Sequence, residues 1–274
     1  MIASRMICFF LASLMALPAI GGETLQPLRS RGELLGWEAI GRLDLAGQGF
    51  CTAALIAPDQ VLTAAHCVFD ETGRQLVPES ITFHAGYVSG DALSVREVER
   101  IVVDAGYNDV PNGKISSVMM RHDVALLRLR SPILSGEANP FAIYTDPKPG
   151  EKVSVLSYGR GRSEHISWQR DCAILQRAGG LLMFDCDVTF GSSGAPVFVR
   201  YGNRVRILSL MSAIGEDHNG EKRSYGMELP EIVAELKHRM RVGDASTLRI
   251  GSGAKRVQVG VGKSGSSAKF IKVD

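Results

Sequence analysis

The chain has 274 residues, 45% hydrophobic and 22% charged, a globular composition that excludes a wholly disordered or collagen-like polymer. Thirty-one Lys and Arg against 29 Asp and Glu leave a formal charge of +2, too even a balance for a dedicated nucleic-acid binder. Thirty glycines with 7% aromatic residues point to many turns rather than a helix bundle.

The first segment reads as a leader. Arg5 supplies a positive charge, Met6 to Leu17 is an uncharged apolar run of twelve residues, and Pro18, Ala19, Gly21 and Gly22 follow. This is the layout of a secretory signal peptide over residues 1–22, cleaved near Ala19 to Gly22. Its apolar run falls short of the ~20 residues a spanning helix needs, so a retained anchor is the weaker reading. Cys8 leaves with the leader. The remaining Cys51, Cys67, Cys172 and Cys186 form an even set suited to an oxidising compartment, secreted or periplasmic. Four cysteines allow three connectivities, and spacing alone does not choose among them.

Residues 23–36 read as a short N-terminal segment or propeptide. From Trp37 to about Leu210 short apolar runs alternate with Gly, Pro, Asn and Asp: Ala53 to Ile56, Ile101 to Val103, Val124 to Leu129, Val153 to Leu156 and Val205 to Leu210. Many short strands at such spacing predict an all-β barrel or sandwich. Pro230 then opens a helix to Arg241, with Ile232, Val233, Leu236 and Met240 on one face. Early Glu231 and Glu235, late Lys237, His238 and Arg239, and Gly243 beyond them mark its start and stop.

Residues 243–274 change character, with eleven Gly or Ser and six basic residues against two acidic ones. They read as a flexible Gly/Ser-rich basic tail. The alternation of Val257, Val259 and Val261, followed by Lys269 to Val273, leaves a small hairpin open as the alternative.

Three segments carry the candidate chemistry: Leu62 to Cys67, His122-Asp123 entering a strand, and Gly191-Ser192-Ser193-Gly194-Ala195-Pro196 leading into another. A serine hydroxyl is a poor nucleophile until a base takes its proton, and that base must be held in one tautomer by a third group. Histidine suits the base because its pKa lies near neutrality. Gly191, two before the serine, lets the backbone turn so that N–H groups face a developing oxyanion, and Gly194 lets the chain pass close to substrate. Each residue also has a plain structural reading: a surface histidine, a capping aspartate (with Asp104 and Asp109 competing with Asp123) and a Gly-Ser linker. Their joint occurrence, in order and each beside a strand, outweighs those readings.

Thr63-Ala64-Ala65-His66-Cys67, Asp123-Val124-Ala125-Leu126-Leu127 and Gly191 to Pro196 resemble the three signature segments of trypsin-like serine proteases. The resemblance runs from about Trp37 to Pro230. Ala39 to Leu43, Gly49 to Thr52 and Leu55 to Pro58 look most like the bacterial secreted branch that includes glutamyl endopeptidases. It implies a peptidase domain over residues 37–242, made of two six-stranded β-barrels with the C-terminal helix. It further implies His66 as general base, Asp123 as orienting carboxylate, Ser193 as nucleophile, and the N–H groups of Gly191 and Ser193 as oxyanion hole. Cys51 would pair with Cys67 and Cys172 with Cys186. Substrates would be proteins or peptides and the chain a monomer, with no cofactor, no metal and no membrane attachment after leader removal.

The resemblance also places Asp187 at the base of the specificity pocket, where trypsins bind Arg or Lys, and Ser212 on its wall. For Asp187 the alternative is a carboxylate hydrogen-bonded within its own loop. Trypsins carry an aspartate before the nucleophile that pairs with a freed N-terminal ammonium; here Ser192 stands there, and no Ile-Val-Gly-Gly-like start precedes Trp37. The oxyanion loop is therefore expected to form without that trigger. A processed terminus after Arg29 or Arg31 is the runner-up. An inactive binding protein on a protease fold is the other function class. An α/β-hydrolase is disfavoured by the order His, Asp, Ser and by the strand that comes after the serine.

Overall fold

The computed structural model describes residues 25–108, 116–242 and 271–272. The leader over 1–22, Asp109, and Val257 to Val261 lie outside the described residues.

The first half is a closed barrel. Strands β2 (Ile40–Leu45), β3 (Gly49–Ala57), β4 (Gln60–Thr63), β5 (Ile81–Ala85), β6 (Ser94–Val103) and β7 (Ala125–Leu129) close in the order β2-β3-β4-β7-β6-β5. β5 alternates buried and half-buried positions, as expected of a strand with one face on the core. β3 is buried along almost its whole length. One of its faces fills the barrel, while Thr52 reaches out of it to the Gly191 carbonyl and the Tyr158 N–H. This explains the unbroken apolar run from Ala53 to Ile56.

The second half is built from β8 (Lys152–Gly159), β9 (Arg162–Ala178), β10 (Leu181–Phe184), β11 (Pro196–Tyr201), β12 (Arg204–Leu210), β13 (Ala213–Glu216) and β14 (Lys222–Met227). With β1 (Gln26–Leu28) on β9 and β15 (Ile271–Lys272) on β13 they form one nine-stranded sheet. Two six-stranded barrels with a C-terminal helix were expected, and this trypsin-like, all-β architecture is found, its second part a half-barrel path β12-β11-β8-β9-β10-β14-β13-β15. Its longest strand is β9, 17 residues. One edge of β9 pairs with β8, while the other is shared by β1 and β10.

The segment before Trp37 is built into this body. β1 pairs Leu28 with Ile166, and Leu28 and Leu34 are buried in the core. Arg31 donates to the Gly86 carbonyl and to Asp91. Trp37 stacks edge-on against Trp168 and Phe198, and Phe198 meets Phe141, joining the two halves through one aromatic cluster.

Two helices complete the fold, α1 (Ser117–Arg121) and α2 (Pro230–Val242). α2 buries Val233, Leu236 and Met240 and crosses back to the first barrel, where Arg239 donates to the Val103 carbonyl at 2.7 Å. From β6, Arg100 donates to the Met240 and Arg239 carbonyls at the helix end, satisfying acceptors that the last turn leaves open.

Candidate active site

β4 and β7 run antiparallel with Thr63 opposite Ala125, so the residues after β4 and those before β7 meet at one end of the barrel. His66, in the 3-10 turn Ala65–Val68, and Asp123, just before β7, are brought together there. Both are buried. Asp123 Oδ1 accepts from the His66 backbone N–H at 2.8 Å, and its Oδ2 lies 2.7 Å from His66 Nδ1. A carboxylate can only accept, so Nδ1 carries the proton and Nε2 is left with its lone pair. The Ser212 hydroxyl donates to the same Oδ2 at 2.6 Å.

The competing carboxylate, Asp104, is engaged elsewhere. Its Oδ1 lies 2.8 Å from His122 Nδ1 and accepts from the Gly106 N–H at 2.7 Å.

Ser193 sits in the turn that enters β11 and is fully buried. Its carbonyl accepts from the Thr52 N–H at 2.9 Å, and Gly194 donates to the Met211 carbonyl at 2.8 Å. Gly194 has φ +73°, and a Cβ there would lie 2.2 Å from Thr63 Oγ1, 2.5 Å from the Thr52 carbonyl oxygen and 2.8 Å from the Ala64 N. Gly194 therefore passes close to the chain that carries His66. Only a glycine fits, and it seats the serine turn directly on the histidine segment.

The loop before Ser193 is shaped by its carbonyls. Phe190 O accepts from the Arg160 N–H at 2.7 Å, and Ser192 O from the Ala195 N–H at 2.9 Å. In a trans peptide the N–H points opposite to its carbonyl, so the N–H groups of Gly191 and Ser193 are aimed away from those anchors. The Gly191 carbonyl is held by Thr52 Oγ1 at 2.9 Å. Gly191 has φ +94°, and a Cβ would meet the Phe50 ring at 2.6 Å, so this conformation also requires glycine.

Disulfides Cys51–Cys67 and Cys172–Cys186 tie the His66 and Ser193 segments to the scaffold. The first fixes the residue after His66 to β3, and the second anchors the start of the segment leading to Ser193. They have the pairing the resemblance implied. Asp187 is exposed, and its backbone N–H donates to Gln169 Oε1 at 2.7 Å. The loop after His66 holds Asp70, whose carboxylate accepts from Thr72 and Arg74. Burial alone would raise its pKa, but those hydrogen bonds prevail and hold it at about 2.

One further role and one further residue come from the structure. Ser212, expected on a pocket wall, has a hydroxyl that is a third donor to Asp123. Thr52 gave no signal, since a threonine inside a strand pattern looks like any β-former.

A closed β-barrel joined to a second β-sheet, with a buried His–Asp pair against a Gly-Ser-Ser-Gly turn, defines a chymotrypsin-type protease fold. The trypsin-like peptidase domain family matches residues 47–205, and the chain belongs to that family. It is 27% identical over 175 residues to serine protease 23 of Rattus norvegicus, covering 56% of this chain and 44% of that protein. It is 32% identical over 150 residues to human transmembrane protease serine 7, covering 52% of this chain and 16% of that protein. The chain thus spans less than half the length of these relatives. Among solved structures it resembles a Glu endopeptidase with a TM-score of 0.61 at 18% identity, over 81% of this chain and 97% of that one. A thermostable serine protease from an extremophilic microorganism gives a TM-score of 0.60 at 18% identity, over 76% and 98%.

Proposed function

We propose that the chain is a secreted serine endopeptidase acting on proteins or peptides through Ser193, His66 and Asp123. The observation that carries this reading is the double hold of Asp123 on His66, at the barrel end on which Gly194 seats the Ser193 turn. Ser193 Oγ attacks the substrate carbonyl carbon while His66 Nε2 takes the hydroxyl proton. Asp123 keeps the imidazole in the required tautomer and stabilises the imidazolium. The N–H groups of Gly191 and Ser193 donate to the oxyanion. The imidazolium then gives its proton to the leaving amine, the C–N bond breaks, and an acyl-enzyme remains. Water, activated by the same His66, releases the acid and restores Ser193. Two disulfides and the leader-like residues 1–22 support an oxidising location, and residues 37–242 form the peptidase domain on this reading.

The test is labelling of folded protein with a fluorophosphonate, mapped by mass spectrometry. Modification of Ser193, abolished in Ser193→Ala and His66→Ala, is expected. Each substitution should lower kcat by about 10⁶, and the double variant no further, because the residues act as a unit. Labelling at another serine would overturn the Ser193 assignment, and no labelling in folded protein would make the chain a binding protein on a protease fold.

A further inference from the structure

The position before the nucleophile contains the feature that the triad does not use. Ser192 is fully buried, and its hydroxyl has four polar neighbours. Arg162 Nη2 donates to Ser192 Oγ at 3.1 Å, and the Thr189 N–H approaches it at 3.4 Å. Ser192 Oγ lies 3.0 Å from Ser157 Oγ and 3.3 Å from the Tyr158 carbonyl oxygen. The same Arg162 Nη2 donates to Ser157 Oγ at 2.9 Å, and its Nη1 donates to the Ser157 carbonyl. A guanidinium therefore clamps β8 to the residue between the two oxyanion donors.

Arg162 stands on a short hairpin. β8 ends at Gly159 and β9 begins at Arg162, with those two residues paired. Gly159 leaves room for the side chain, since a Cβ there would lie 2.8 Å from Arg162 Cζ. The turn residue between them, Arg160, donates its N–H to the Phe190 carbonyl at 2.7 Å. One hairpin thus holds the oxyanion loop at two points, Phe190 through backbone and Ser192 through a side chain. Desolvation pulls the Arg162 pKa down to about 10, with Asp187 acting in the opposite sense. The group stays charged at neutral pH.

We propose that Arg162 is the positioning residue that holds the Gly191–Ser193 loop in its oxyanion-binding form, an internal cation in the role that trypsin-like zymogens give to a freed N-terminal ammonium. A charged amino terminus has no carboxylate at Ser192 to pair with. A planar fork on a fixed hairpin needs no maturation cleavage, and it bridges Ser157 and Ser192 in a way a lysine cannot reproduce. This inference rests on the peptidase reading above.

The experiment compares wild type, Arg162→Ala and Arg162→Lys as full chains, on a peptide substrate that wild type cleaves. Loss of an aligned oxyanion donor costs on the order of 10²–10³ in kcat. Arg162→Ala is accordingly expected to lose about 100-fold in kcat with KM changed less than threefold. Affinity for a peptidyl boronic acid, which forms a tetrahedral adduct, should fall in parallel. Methylguanidinium at millimolar concentration should restore at least tenfold of the lost kcat in Arg162→Ala and none in Arg162→Lys. If Arg162→Ala does not fold, Arg162→Lys carries the test: it should fold and lose kcat selectively. Wild-type kcat in the variants overturns the proposal, as does a loss of kcat that tracks thermal stability without rescue. Fluorophosphonate labelling separates the two readings. Wild type and Arg162→Ala labelled at equal rates defeats the positioning role alone, whereas unlabelled, inactive wild type defeats both.

Discussion

The Asp123 carboxylate grips His66 at two points, accepting from its backbone N–H at 2.8 Å and from its ring Nδ1 at 2.7 Å. The backbone contact fixes where the histidine turn sits, and the ring contact fixes which nitrogen is left to act as base. Asp123→Asn keeps an oxygen for one contact and presents an NH₂ group at the other, forcing the proton onto Nε2. The expected result is a loss of about 10⁴ in kcat with the fold retained, read as steady-state kinetics beside a circular-dichroism melt. Full activity in a folded Asp123→Asn would remove Asp123 from the triad.

Gly194 is the hinge of the same geometry. At φ +73°, with Thr63 Oγ1 and the Thr52 carbonyl in the way of a Cβ, alanine brings both backbone strain and overpacking. Left-handed backbone costs ~1–2 kcal/mol and overpacking ~1–3 kcal/mol. Gly194→Ala should therefore lose about 2–5 kcal/mol in urea unfolding, and the folded fraction should label slowly at Ser193. An unchanged unfolding midpoint would mean that the turn does not rest on Thr52 and Thr63.

Asp70 gives a pH test. Its carboxyl is held at about 2, below the ordinary 3.8. A depressed acid stabilises the folded state fully above its unfolded pKa, and that contribution is lost as pH falls toward the folded value. Asp70→Ala should lower the melting temperature by the same amount at pH 7 and pH 5. The gap to wild type should narrow from pH 4 and close only below pH 2. A gap independent of pH would assign the effect to packing rather than to the charged hydrogen bonds from Thr72 and Arg74.

β15 pairs in parallel with β13, Ile271 opposite Ala213 and Lys272 opposite Ile214. β13 starts one residue after Ser212, which touches Asp123, so this strand covers an edge beside the proposed active site. Extended peptides bind exposed strand edges by adding a strand. Removal of residues 270–274 should raise kcat/KM for a long peptide about tenfold while leaving a small ester unchanged. Equal values for both substrates before and after truncation would show that substrate does not use this edge.

Much of this protein is legible from residue order. The strand runs, the helix after Pro230 and the three chemical segments depend on local patterning: apolar period, caps, and glycines where φ must be positive. The structure places the apolar runs in β3, β6, β7, β8 and β12 and the helix at α2. The tertiary structure decided what local pattern cannot encode. Asp123 rather than Asp104 meets His66, because the Thr63–Ala125 register brings the ends of β4 and β7 together. Both aspartates lie beside strand patterns, and register is a long-range property. Residues 23–36 read as a short N-terminal segment or propeptide, and local pattern does not show that β1 and Leu34 are packed into the body; three strand residues are too few to show a period. The strand order of the second half is equally long-range: β9 pairs with β8 on one edge and with β1 and β10 on the other. Arg162 and Ser192 are 30 positions apart, and nothing near either one announces the other. Only a hairpin folded back onto the nucleophile loop makes an ordinary surface-type arginine the neighbour of a buried serine, because side-chain hydrogen bonds across such a distance form after the backbone has fixed both ends.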